Sequence, residues 1–245
     1  MNSEKESDRR QTVGSAEVAA QILSALADLA PATSLSRLAD YVQMPASKVH
    51  RYLQALLATG FAGQDPASNH YTLGQEALRV GLIALGKMDV LKVASPFLLS
   101  LRDQLNETVF FAVWGNKGAT VVQVEQALRS IHLITQVGSV LPPFQSATGL
   151  VFSAFLPGQE LTLLLQEAAL SGEQALQLAA IRSQGWHSVQ GLLLRGVDAV
   201  SAPVFDARGQ IAGVVTVVGT AAGSEMVQQL LAATRAISQR MGAPL

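Results

Sequence analysis

Cysteine does not occur anywhere in the 245 residues. Its absence removes disulfides, thiolate metal sites and cysteine nucleophiles together, and agrees with a reducing compartment. Charge is also sparse, at 14% of residues with a formal net of -1, which excludes a protein that coats nucleic acid with a broadly basic surface. No apolar run approaches the roughly 20 residues of a membrane span. The first ten residues are charged, with no hydrophobic segment behind them, so no secretory leader is expected and the expected location is the cytoplasm.

Familiar catalytic signatures are missing as well. The chain has no G-x-S-x-G elbow, no phosphate-binding G-x-x-x-x-G-K-[ST] loop, no H-E-x-x-H and no clean dinucleotide fingerprint. The pair of glycines in Gly219-Thr220-Ala221-Ala222-Gly223 lacks the required spacing and reads as a loop. His50, His70, His132 and His187 are scattered singly, so a metal site would need an unsupported convergence in space. Ser146, Thr148 and His132 would have to converge in the same way to make a nucleophile. No catalytic residue, metal or cofactor is expected.

What is present allows a substantial core: 49% of residues are hydrophobic, and the length suggests two domains. The most informative stretch is 34–73, where a short helix at 36–41, a tight connection Val42-Gln43-Met44-Pro45, a helix at 46–59 and a returning strand Tyr71-Thr72-Leu73 follow in winged helix-turn-helix order. A preceding helix at 13–29 presents Val18, Ile22, Leu23, Leu26 and Leu29. In the 46–59 helix Val49, Tyr52, Leu53, Leu56 and Leu57 recur at helical spacing and predict a buried face. The opposite face reads Ser47, Lys48, His50, Arg51 and Gln54, hydrogen-bonding or cationic and without an acid, as a helix meeting phosphates and base edges requires.

An ordinary amphipathic surface helix would share that polar face; the compact three-helix context favours DNA. Arg37 on the shorter helix and His70 beside the Asp65-to-Asn69 turn cluster, the expected wing tip, are further candidates for phosphate contact. Since one headpiece carries few cations, useful affinity requires two headpieces on one operator, and a homo-oligomer is expected.

Further along, 74–86 reads as a connecting helix, and helical pattern continues past Lys87, is marked at Ser95-Pro96 and resumes over 97–105. Strands are expected at 108–114 and 119–125 around Gly115-Asn116-Lys117-Gly118, at 131–135, at 199–205 and at 211–218. Helices are expected near 150–155, 159–168, 171–183 and 224–241. Thr148-Gly149-Leu150 stands at a helix start, where free N–H groups suit the carboxylate of a small organic acid; Thr148 serving only as the helix cap is the plainer alternative.

Several segments together resemble the IclR family of bacterial transcriptional regulators over nearly the whole chain. They are Leu38 to Gly60, Tyr71-Thr72-Leu73-Gly74, Glu107-Thr108-Val109, Val137 to Pro142, and Ala202-Pro203-Val204-Phe205-Asp206 with Gly209. The resemblance implies an α+β protein with an N-terminal winged helix-turn-helix, a linker helix and a C-terminal GAF-like or profilin-like antiparallel-sheet domain that binds an effector. The implied boundaries are a disordered tail at 1–12, the DNA-binding domain at 13–74, the linker at 75–95 and the effector domain at 96–245. It also implies dimers or tetramers that repress or activate catabolic operons, without enzymatic activity.

Carried over by position, the effector pocket would be lined by Thr148, Gly149, Leu150, Val189, Ala199, Thr216 and Val218. Val189, Ala199 and Val218 stand where members binding small hydrophilic acids tend to carry polar side chains. That points to an apolar cavity and to an aromatic or longer-chain acid. An enzyme or metabolite-binding protein whose headpiece mediates protein contacts is the alternative reading.

Overall fold

A computed structural model describes residues 14–86, 89–127, 136–164, 170–191, 196–219 and 223–244, with the backbone alone at 85–86 and 162–164. The chain divides into two compact units, Met1–Lys87 and Met88–Leu245. The tail expected at 1–12 and the strand expected at 131–135 lie outside the described residues, as does the end of the helix expected at 159–168.

The first unit contains α1 (Gly14–Asp28), α2 (Leu35–Tyr41), α3 (Ala46–Ala58), β1 (Ala62–Gln64), β2 (Tyr71–Leu73) and α4 (Gln75–Gly86). Its core joins Ile22 and Leu26 of α1, Leu38 of α2, Val49, Leu53 and Leu56 of α3, and Tyr71 of β2. Ser34 caps α2 by accepting from the Arg37 N–H. The α2–α3 turn is closed by the Gln43 N–H donating to the Asp40 carbonyl at 3.2 Å and the Met44 N–H donating to that of Ala39 at 3.0 Å. That is a Schellman closure with Gln43 at φ +54° in the left-handed position. The strands β1 and β2 pair antiparallel, Ala62 opposite Leu73, and Thr33 bridges to Tyr71. Gly74 ends the wing where a Cβ would stand 2.1 Å from the Gly60 carbonyl oxygen and 2.7 Å from that of Ala62. A side chain there would therefore displace backbone.

The second unit contains α5 (Asp89–Leu105), β3 (Thr108–Gly115), β4 (Gly118–Glu125), β5 (Val140–Leu141), α6 (Ala147–Phe155), α7 (Gly158–Leu164), α8 (Gly172–Gln184), β6 (His187–Gln190), β7 (Asp198–Phe205), β8 (Ile211–Gly219) and α9 (Ser224–Arg240). Six antiparallel strands form one sheet in the order β5-β4-β3-β8-β7-β6. Helices α5 and α9 cover one face, where Leu98, Leu101, Val109, Phe111, Val217 and Leu230 are buried. Helix α6, backed by α8, covers the other, with Phe110, Val121, Val151, Phe152, Ile181 and Val214 in the core.

The linker expected over 75–95 does not fall within one unit. Helix α4 belongs to the first unit, whereas Val90 and Ala94 of α5 are buried in the core of the second. Nor does Ser95-Pro96 divide the helix, because Pro96 lies inside α5 and the Ser95 hydroxyl donates to the Leu91 carbonyl at 2.7 Å. Pro203 in β7 sits past Ser201, the last residue paired to β6, so its missing N–H takes no bond from that ladder.

Candidate functional site

Two surfaces carry the candidate residues. On α3 the buried Val49, Leu53 and Leu56 fix the helix on the headpiece core and turn Ser47, Lys48, His50, Arg51 and Gln54 to solvent, all of them exposed. The only side-chain bond among the five joins His50 Nε2 to Gln54 Nε2 at 3.3 Å. Lys48 and Arg51 make no ion pair among the described residues, so both charges stay available. Arg37 is exposed on α2, and His70 is exposed at the base of the wing. At the wing tip Asp65 takes the Ser68 hydroxyl at 2.5 Å and the N–H groups of Ala67 and Ser68 at 3.2 Å. These bonds hold its carboxyl below the ordinary range and turn its oxygens inward on the turn itself.

The second surface lies between α6 and the sheet. Ser146, not Thr148, caps α6: its hydroxyl accepts the Gly149 N–H at 2.9 Å and donates to the Pro142 carbonyl at 2.8 Å. Gly149 packs beneath the Pro142-Pro143 loop, where a Cβ would stand 2.2 Å from the Pro142 oxygen. The expected carboxylate cradle at Gly149 is therefore closed: its N–H is used and its open side is filled by the loop.

Thr148 turns instead onto the sheet. Its hydroxyl lies 2.8 Å from that of Thr216 on β8 and 3.5 Å from that of Ser201 on β7, and Ser201 lies 2.8 Å from Thr216. All three are at most 2% exposed. Buried hydroxyls are stable only when bonded, and three oxygens with three protons can satisfy one another.

Strand register orders the remaining residues into two rows on this face. His187, Ser201, Thr216 and Phe110 stand side by side across β6, β7, β8 and β3, and Val189, Ala199, Val218 and Thr108 form the row two residues on. Val189, Ala199 and Val218 of the second row form an apolar floor in which Val189 and Ala199 remain half-buried, with the buried Thr108 at its end. Leu150, from α6, is buried against the same cluster. Ser201 and His187 belong to this arrangement although neither stood out in the sequence; their ladder positions opposite Thr216 and Ser201 are what reveal them. Burial pushes the His187 imidazole below its ordinary value.

A cleft of about 440 Å³ opens at the opposite end of the sheet, beside Trp114 and the β7–β8 turn. It contains Asp89, Glu160 and Asp206, the wrong sign for an organic acid. Among the described residues no group of histidine, aspartate and glutamate side chains could hold a metal ion. No helix among them is long and apolar enough to cross a membrane.

A winged helix-turn-helix joined in one chain to a separate sheet domain is the architecture of a transcription regulator. Family models described as IclR helix-turn-helix domain and as bacterial transcriptional regulator IclR C-terminal match residues 15–66 and 82–241. The chain belongs to the IclR family of bacterial transcriptional regulators, which are not enzymes.

The chain is 63% identical to the crystal structure of Pseudomonas aeruginosa HmgR, over 94% of this chain and 100% of that one, with a TM-score of 0.78. It is 28% identical to the glycerol operon regulatory protein of Streptomyces griseus, over 95% of this chain and 98% of that protein. An IclR homologue from Microbacterium hydrocarbonoxydans, crystallised with 4-hydroxybenzoate, shares the fold at a TM-score of 0.76 and 15% identity, over 91% of this chain and 98% of that one.

Proposed function

We propose that this protein is a ligand-responsive regulator of a catabolic operon. A homo-oligomer binds operator DNA through α3, and a small apolar organic acid, aromatic or longer-chain, binds in the second unit. The observation that carries the reading is the exposed, acid-free α3 face with two cations that make no ion pair among the described residues. Ser47, Lys48, His50, Arg51 and Gln54 enter the major groove, while Arg37 and His70 meet flanking phosphates. Two headpieces per operator multiply the few charges of one. Helix α4 supports self-association, since Leu78 and Leu82 are 62% and 58% exposed and Val80 and Ile83 are exposed beside them, an apolar surface a lone headpiece has no use for.

The effector contacts on this reading are Thr148, Leu150, Val189, Ala199, Thr216 and Val218, with Ser201 completing the hydroxyl group. A relative bound to 4-hydroxybenzoate and a floor of valine and alanine both suit an aromatic acid. Effector and operator each bias one set of oligomer arrangements, so each must change the affinity of the other by the same factor. A mobility shift with DNA from upstream of its own gene tests the DNA half. Binding that falls steeply between about 50 and 200 mM salt is expected, and no shift on any such fragment at low salt would return the chain to a sensor whose headpiece makes protein contacts.

A further inference from the structure

His187 occupies a singular place on the effector face. It stands opposite Ser201 in the β6–β7 ladder, so both side chains leave the same side of the sheet. Ser201 bonds Thr216 at 2.8 Å and Thr216 bonds Thr148 at 2.8 Å, which puts the imidazole at the open end of a row of hydroxyls. Immediately beyond lies the half-buried floor of Val189 and Ala199. Among the described residues the ring nitrogens of the half-buried His187 have no hydrogen-bond partner. Its nitrogens are not sealed from solvent, so the ring stands open to an incoming group.

We propose that His187 receives the carboxylate of the effector and thereby selects for acids. The proposal rests on the reading of the second unit as a sensor of an apolar organic acid. The hydroxyl group is a poor partner for a carboxylate, because two of its protons are spent on the 2.8 Å bonds within the group and its three residues are at most 2% exposed. Among the described residues on this face of the sheet, His187 is the one side chain that can carry positive charge.

Among the described residues no other titratable group faces it from α6 or β7, the elements packed on β6. Helix α6, Ala147–Phe155, contains none, and Asp198 of β7 pairs with Gln190 on the opposite face. In the free protein burial keeps the imidazole neutral near pH 7. A carboxylate at hydrogen-bond distance reverses that preference, so the ring takes one proton from solvent and an imidazolium–carboxylate pair forms. Binding is then tighter at lower pH, with Ser201 and Thr216 holding the row in which the ring stands.

The test uses the full chain and, as probes, benzoate, phenylacetate and 4-hydroxybenzoate, followed by thermal shift and calorimetry at roughly pH 6.5 and pH 8. At least one acid should bind the parent about fivefold more tightly at the lower pH, and His187→Gln should bind it about tenfold more weakly there, with a flat pH profile. Equal affinity and pH dependence in parent and H187Q would overturn the assignment and leave the sensor reading intact. Stabilisation of the parent by none of the three would overturn the aromatic-acid reading and the assignment with it. Should H187Q fail to fold, the parent alone decides: binding heats in two buffers of different ionisation enthalpy report the proton taken up, and no uptake overturns the proposal.

Discussion

In the first unit five of the seven residues proposed to meet DNA lie within one helix of 13 residues and point away from the core, whereas the proposed effector face gathers side chains from α6, β6, β7 and β8 and turns them inward. An outward polar face satisfies its hydrogen bonds with water, so its residues can change without consequence for folding. An inward polar row must satisfy itself, so Thr148, Ser201 and Thr216 serve stability and, on the proposed reading, recognition together. The difference predicts separable phenotypes in the headpiece and entangled ones in the sheet domain.

The largest effects come from two glycines, one in each unit. Gly74→Ala and Gly149→Ala each drive a methyl group into a carbonyl, of Gly60 and of Pro142 respectively; each should cost roughly 3 kcal/mol or more. The first should abolish operator binding while acid-dependent thermal stabilisation survives; the second should abolish acid binding. If either variant melts like the parent, the close approach at that joint is not what the chain folds to. Next comes Arg51→Ala, exposed and without an ion pair among the described residues. It should weaken operator binding by about tenfold, or 1.4 kcal/mol, with an unchanged melting curve. Loss of stability in parallel with affinity would show that α3 is not a purely outward surface.

Thr216→Val tests the inward row. The variant keeps the shape but removes the hydroxyl bonded to both Thr148 and Ser201, leaving those two 3.5 Å apart. A cost of about 1–3 kcal/mol is expected, visible as a lowered unfolding midpoint together with altered acid binding. Either change without the other would separate two roles that the geometry joins.

How legible each surface is in the sequence follows from the same contrast. The α3 face repeats with the helical period, and the core positions Val49, Leu53 and Leu56 leave little choice about what faces out. The hairpin β3–β4 and the strands β7 and β8 are legible from β-branched runs between turns. Strand β6, His187-Ser188-Val189-Gln190, is not, because four mixed residues carry too little pattern; β1, with a central glycine, fails for the same reason. Ser201 escapes notice because its meaning lies in register: only pairing places it opposite Thr216 and His187. Helix α6 begins at Ala147, ahead of the expected 150, with Ser146 as its cap; Ser146 and Thr148 are equally able caps, and only the Pro142 loop, folding back on Gly149, decides between them.

The smallest effect concerns pH, and its sign distinguishes empty from occupied protein. Burial holds the His187 imidazole below its ordinary 6.5, so in the window beneath that value the unfolded chain holds a proton that the folded one lacks. Its contribution is therefore complete above about pH 6.5 and is lost as pH falls through the folded value. An acid bound beside the ring raises the folded value above the unfolded one. The contribution then appears below the unfolded value and is lost as pH rises, the opposite slope. Asp65 and Asp206 are both held below their ordinary 3.8 by hydrogen bonds, so their share is lost only in stronger acid and leaves this window clear. Chemical unfolding of parent and H187Q between about pH 5 and pH 7 should show the parent weakening more steeply than the variant on acidification. Identical slopes would mean that the ring is as well solvated in the folded chain as in the unfolded one, and the inward row would then end at Ser201.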